Sequence, residues 1–194
     1  MPETERPLRA DARRNRARVL EAAEIVLARD GMSASMREIA RRADVGLATI
    51  YRQFPTKEDL YRAVVRDRVG ALADEGAALI ADESAAETSF FAFFARIVEE
   101  STHKRMLVDA LAESGVAEDD VKAGLGDLQG TMLRLLETLL DGAQRSGAVR
   151  DDVGMPEVLA LLTAACLAAE RGQWDAGTRD RALAVMFDGF RPRA

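Results

Sequence analysis

Two residue types limit the chemistry open to this chain. It contains one histidine, His103, and one cysteine, Cys166. One subunit therefore cannot build a multi-histidine metal site, a Cys-rich zinc site or an internal disulfide. A Ser-His-Asp triad stays formally possible, but no catalytic residue, metal ligand set or cofactor is assigned. What remains is cationic chemistry. Residues 1–57 carry 12 Lys and Arg against 8 Asp and Glu, while the other 137 residues carry 15 against 25. A basic first segment on an acidic body directs one end towards a polyanion. The alternative is a chance imbalance spread over solvated faces.

Residues 35–54, SMREIARRADVGLATIYRQF, concentrate the specific signal. Ser35-Met36-Arg37-Glu38 is a capping box, in which hydroxyl and carboxylate each satisfy an orphan backbone donor. Met36, Ile39, Ala40 and Ala43 recur on one face of the helix that follows. A tight turn at Asp44-Val45-Gly46 leads into a short helix ending at Phe54-Pro55. Ala40 and Ala43 are small enough for close helix approach, and Val45, Ile50 and Phe54 are spaced to plug the angle. This is a helix-turn-helix arrangement, whose second helix lies in the major groove of DNA. Helical hairpins without that role share the bare pattern.

The elements that must position this motif are all helical. Ala, Leu, Arg and Glu dominate, and strand-like alternation is nearly absent. The first helix is expected from Asp11 to Arg29, with Asp30-Gly31 as its C-cap, after a mobile arm over residues 1–10. Further helices are expected from Ser35 to about Asp44 and from Gly46 to Gln53. Thr56-Lys57-Glu58-Asp59 caps a long fourth helix reaching Ala81, and Ser84-Ala85-Ala86-Glu87 caps a fifth over Glu87–Thr102. Others are expected over Lys104–Glu113, Asp127–Arg145, Pro156–Arg171 and Thr178–Phe190. Residues 114–126 carry three glycines and receive no assignment.

Over Ala12–Leu72 the chain resembles the tetracycline-repressor (TetR) family of transcriptional regulators. The matching residues are Arg18-Val19-Leu20-Glu21-Ala22-Ala23, Asp30-Gly31, Arg37-Glu38-Ile39-Ala40 and Ala43-Asp44-Val45. The most specific run is Ala48-Thr49-Ile50-Tyr51-Arg52-Gln53-Phe54-Pro55-Thr56-Lys57-Glu58-Asp59-Leu60. The resemblance implies an all-α fold with a three-helix DNA-binding head, residues 11–56. A long helix would link it to a helical ligand-binding and dimerisation bundle, residues 57–194. It also implies a homodimer on a palindromic double-stranded DNA operator, released by a small-molecule effector and usually repressing.

Tyr51 and Lys57 match family positions that touch phosphates, and a phenol donor with a point charge at a helix N-terminus suits that role. Otherwise Tyr51 packs on the first helix and Lys57 is merely solvated. Thr49 and Arg52 project from the recognition helix. Arg52 either forks onto a guanine edge or meets a phosphate. Leu47 is placed for a thymine methyl, and Gly46 and Ala48 let the backbone approach the groove. Arg37 is expected near the flanking backbone, or else in an ion pair with Glu38 or Asp44. Arg13, Arg14, Arg16 and Arg18 form a basic cluster facing DNA or solvent.

In the acidic body, Phe90, Phe91, Phe93 and Phe94 exceed what one inward face needs. Phe90, Phe91 and Phe94 are therefore candidates to line an effector pocket, with Met106, Met132 and Leu136 as soft walls. Trp174 is a candidate cap, and His103 a group that orients a ligand. Core packing is the competing account for each phenylalanine, an interface for Trp174, and the surface for His103 and for Glu100, the other polar group placed to orient a ligand. Val158, Leu161, Leu162, Ala165 and Ala169 form one apolar stripe, and Ala182, Val185, Met186 and Phe190 a second. Both are expected at a homodimer interface, as a four-helix bundle with the partner's pair, as the resemblance implies; otherwise both stripes face the same subunit's core.

At 48% hydrophobic and 31% charged residues, the composition excludes disorder over most of the length. No segment approaches the ~18 apolar residues of a membrane-spanning helix, so no membrane partner and a cytoplasmic location are expected. Glu100-Ser101-Thr102-His103 matches one Glu-x-x-His motif of di-iron helical bundles, but such sites need two. A DNA-binding structural protein without effector control is the other alternative. The size of the C-terminal body argues against it.

Overall fold

The computed structural model describes residues 5–82, 85–113 and 125–192, with side chains over 11–31, 33–82, 85–101 and 125–192. The described residues form eight α-helices: α1 Glu5–Asp30, α2 Met36–Ala43, α3 Leu47–Gln53, α4 Lys57–Ala81, α5 Ala86–Glu113, α6 Gly126–Arg145, α7 Met155–Gly172 and α8 Ala176–Phe190. A short 3-10 turn, Gly31–Ser33, joins α1 to α2. The chain divides into two compact units, residues 1–68 with 106–124 and residues 69–105 with 125–194.

Two boundaries differ from expectation for identifiable reasons. Residues 5–10, expected in a mobile arm, are the first turns of α1. Pro7 does not prevent this, because the first four N–H groups of a helix have no intrahelical partner. The helices expected over Glu87–Thr102 and Lys104–Glu113 are one, α5. No glycine or proline interrupts residues 86–113, so nothing in the chain stops the helix. The proposed cap Ser84 lies outside the described residues.

The first unit is built on α1, α2 and α3, with α1 packed on α2 and α2 on α3. Val19, Leu20, Ala23, Val26 and Leu27 of α1 are buried with Met36, Ile39, Ala40 and Ala43 of α2. Ile50, Phe54, Leu60, Tyr61, Val64 and Val65 complete that core. Each large apolar side chain so buried stabilises the unit by roughly 1.5–3 kcal/mol. Val45, expected beside Ile50 and Phe54 as a plug, is only half-buried.

The second unit buries Phe90, Phe93, Phe94 and Val98 of α5 with Leu136, Leu139, Leu140 and Ala143 of α6. Val158, Ala165 and Ala169 of α7 and Leu183 and Phe190 of α8 join them. Two of its helices, α7 and α8, begin on satisfied caps. The Glu157 carboxylate accepts from Gly154 N at 2.9 Å, and Asp175 Oδ1 accepts from Thr178 N at 2.6 Å. That hydrogen bond holds the Asp175 carboxyl below its usual range.

Candidate nucleic-acid interface

The turn between α2 and α3 is fixed by its backbone. Asp44 is left-handed, φ 52 and ψ 49, and its N–H donates to Arg41 O at 3.4 Å. The next N–H, of Val45, reaches back to Ala40 O at 3.1 Å. This paired closure of the last carbonyls is the Schellman motif, here with Asp in the place glycine usually takes. Aspartate enters the left-handed region more readily than most side chains. Gly46 then provides the N-cap of α3 in extended conformation, so its φ of -66 demands no glycine. A Cβ there would meet only Thr49 Oγ1, at 3.7 Å.

At the start of α2 only half of the expected capping box forms. Ser35 Oγ accepts from Arg37 N at 3.2 Å. The Glu38 carboxylate instead takes two hydrogen bonds from Arg41, at 2.9 and 2.7 Å, and lies 3.9 Å from Arg29. Arg41 holds the Glu38 carboxyl below its ordinary range. The complete reciprocal box is at α4, where Thr56 Oγ1 accepts from Asp59 N at 3.0 Å and Asp59 Oδ2 from Thr56 N at 3.2 Å.

These caps orient a short helix with one face spent on the core. Ile50 is fully buried and sets the inward direction of α3. Ala48 and Arg52, four residues apart on one face, are both exposed. Tyr51 is 47% exposed, and Leu47 and Thr49 are half-buried at the margins. Arg37 is exposed in the first turn of α2 and takes no part in the pairs around Glu38 and Asp44. Asp44 lies instead 3.8 Å from Arg18. Lys57, the first residue of α4, places Nζ 5.4 Å from the centre of the Tyr61 ring. Partial burial pulls its pKa below the usual lysine value. The structure thus gathers Arg37, Leu47, Ala48, Thr49, Tyr51, Arg52 and Lys57 on α2, α3 and the first turn of α4, with Arg37, Ala48, Tyr51 and Arg52 open to solvent.

Sequence reasoning passed over Tyr61, fully buried with no partner for its hydroxyl among the described residues. Its spacing from Lys57, one helical turn, was the available signal. Of the arginines on α1, Arg14 is paired with Asp11, and Arg18 donates to Asn15 at 2.7 Å. Arg16 stands over the Phe54 ring, 4.8 Å from its centre.

The candidate pocket and dimer residues fall in the second unit. Phe90, Phe94 and Leu136 are core residues. The Phe90 and Phe94 rings meet each other and Phe190 edge-on at 5.8–6.2 Å. Phe91 is half-buried, 4.9 Å from the Phe187 ring, and Met132 and Trp174 pack on the core's margin. The side chains of His103 and Met106 lie outside the described residues.

The apolar stripe of α7 divides. Val158, Ala165 and Ala169 are buried in the unit's own core. The cause is geometric: one side of the apolar arc must face the aromatic cluster. Leu161, 38% exposed, sits on the adjoining face with exposed Ala160, Thr163, Ala164 and Leu167. Leu162, Ala182 and Met186 are half-buried, whereas Val185 is 76% exposed. Among the described residues no helix is long and apolar enough to cross a membrane.

Comparison with known proteins matches both units. Residues 19–64 fit the profile described as bacterial regulatory proteins, tetR family. Residues 85–192 fit that of the transcriptional regulator SbtR-like C-terminal domain. The crystal structure of a TetR transcription regulatory protein from Mycobacterium vanbaalenii is similar with a TM-score of 0.78 and 38% identity, over 96% of this chain and all of that one. The TetR transcriptional regulator SCO0520 from Streptomyces coelicolor matches with a TM-score of 0.73 and 32% identity, over 92% and 99% of the two chains. The HTH-type transcriptional regulator UidR of Escherichia coli K12 is 25% identical over 161 residues, 80% of this chain and 79% of that protein.

Proposed function

The chain belongs to the TetR family of bacterial transcriptional regulators, DNA-binding proteins rather than enzymes, and from that premise we propose that it is a repressor. It binds a palindromic operator as a homodimer and leaves it when a small, largely apolar effector enters the C-terminal body. The observation that carries this reading is the exposed face of α3, with Ala48, Tyr51 and Arg52 outward of a buried Ile50.

Residues 11–56 form the reading head and 57–194 the effector and dimerisation part. Tyr51, Lys57 and Arg37 hold phosphates. Arg52 and Thr49 read base edges, Leu47 touches a thymine methyl, and Gly46 and Ala48 admit the backbone to the groove. Apolar Phe91, Met132 and Trp174 at the core margin, with Phe90, Phe94 and Leu136 behind them, support an apolar effector. The exposed Leu161 and Val185 support pairing through α7 and α8.

Selection of duplexes from a random pool, followed by footprinting, tests the reading. The expected result is an inverted repeat, with Arg52→Ala relaxing preference at one position of each half-site. That contact is worth roughly 1–3 kcal/mol of discrimination. Recovery of no preferred sequence would refute operator recognition. A screen of apolar ligands should raise the melting temperature and release the selected duplex. Stabilisation by none of them would leave a DNA-binding regulator without effector control.

A further inference from the structure

We propose that Arg16 is a phosphate-binding residue of the reading head, held in place by the face of the Phe54 ring. The proposal rests on the DNA-binding reading above and adds a contact from α1 to those of α2, α3 and α4.

The four basic side chains between Arg13 and Arg18 are not equivalent. Arg14 is engaged by the carboxylate of Asp11, one turn away. Arg18 is shared between Asn15 and the carboxylate of Asp44. Arg13 is exposed. Arg16 crosses to another element, and its guanidinium carbon lies 4.8 Å from the centre of the Phe54 ring.

That ring is a buried platform. Phe54 is 2% exposed, and its N–H closes α3 onto Ile50 O at 2.7 Å. Tyr51 precedes it by three residues and Lys57 follows by three, so Arg16 is anchored at the corner where α3 hands over to α4. Nearby charge does not consume it: among the described residues no carboxylate is paired with Arg16, and Asp59 is occupied by its cap at Thr56.

The chemistry of the contact decides the role. Stacking on an aromatic ring uses the face of a guanidinium, while its five N–H donors lie in the plane and leave through the edge. A guanidinium stacked on one side and exposed on the other is therefore a pre-oriented fork for a tetrahedral anion. The arm loses little freedom when the phosphate arrives, because the ring already holds it. Lysine would bring the charge without the fork or the stack.

The test is a salt titration of the full-length protein by fluorescence anisotropy. It uses two labelled duplexes, one of arbitrary sequence and one recovered by the selection above. Arg16→Gln should lower the magnitude of the log K against log salt slope by about one, the yield of one phosphate contact. Both duplexes should weaken by the same factor, and melting should stay near wild type because the side chain is exposed. Arg16→Lys should keep the wild-type slope. An unchanged slope in Arg16→Gln overturns the proposal, as does a loss confined to the selected duplex, which would mark a base contact. If wild type binds neither duplex, the DNA-binding reading fails and this inference with it. If wild type binds both and only the slope prediction fails, this inference alone falls.

Discussion

Tyr61 is buried where its ring is useful and its hydroxyl is not. The ring fills the first unit's core and underlies the Lys57 ammonium, while the oxygen has no hydrogen-bond partner among the described residues. Burial accordingly pushes its phenol above the ordinary tyrosine range. An unmet buried hydroxyl costs more than a made hydrogen bond returns. Tyr61→Phe should therefore keep the packing and the cation contact and raise stability by about 1 kcal/mol. Urea unfolding checks it, and a lowered midpoint would mean that the hydroxyl has a partner. At this scale the motif was legible where spacing alone decides exposure: Ala48, Tyr51 and Arg52 face outward because Ile50 cannot. Choice among partners was not legible. Glu38 has a backbone donor and two arginines within reach, and geometry gives it to Arg41 and Arg29. Arg16 and Phe54 lie far apart in sequence and meet only once α1 has packed.

The helix α4 contains two glycines with opposite reasons for being there. At Gly70 an added Cβ would meet nothing within 4 Å, so the glycine only loosens the helix. At Gly76 the same atom would lie 2.7 Å from Cε2 and Cζ of Phe93 and 3.3 Å from Leu135 Cδ1. The Phe93 ring is fully buried among its neighbours and has no space to withdraw. Gly70→Ala should stabilise the fold by roughly 0.5–1 kcal/mol, and Gly76→Ala should destabilise it by roughly 1–3 kcal/mol. Paired thermal melts of the two variants decide it, and equal effects would refute the packing argument. The start of α8 offers a pH test. The Asp175 carboxyl is held below its ordinary pKa by the N–H of Thr178, so the folded state prefers the charged form. That stability is present above the unfolded pKa and lost as pH falls through the folded one. The melting-temperature advantage of wild type over Asp175→Asn should shrink on acidification through this window. A constant difference would show that the charge is irrelevant to the cap. The starts of α4 and α7 were readable because Thr56, Asp59 and Pro156 act within one turn, whereas the last helix was expected only from Thr178 and its cap at Asp175 was missed. The union of α5 was less readable, since Glu100–Lys104 is polar without containing a breaker.

For the whole molecule, the proposed function depends on pairing, and the single chain already separates exposed apolar side chains from buried ones. The sequence shows one continuous apolar stripe along α7 because inward and outward apolar residues adjoin on the same helix. Only the position of the Phe90–Phe94–Phe190 cluster reveals which residues turn in. Val158 and Ala165 are sealed, whereas Leu161 and Val185 are exposed. A charge at the sealed positions should unfold the subunit, because an unpaired buried carboxylate has no compensation. A charge at the open positions meets water in the monomer and apolar surface only in the dimer. Leu161→Glu combined with Val185→Glu should therefore leave the helical circular dichroism and unfolding cooperativity of the subunit intact. Sedimentation velocity should show the dimer of wild type replaced by monomer. Operator affinity should fall as well, since two heads that no longer arrive together lose the effective concentration that links half-sites. Binding to a duplex of arbitrary sequence by one head should be largely retained, since the acidic body holds none of the proposed phosphate contacts. A double variant that still sediments as a dimer would place the pairing surface elsewhere on the second unit.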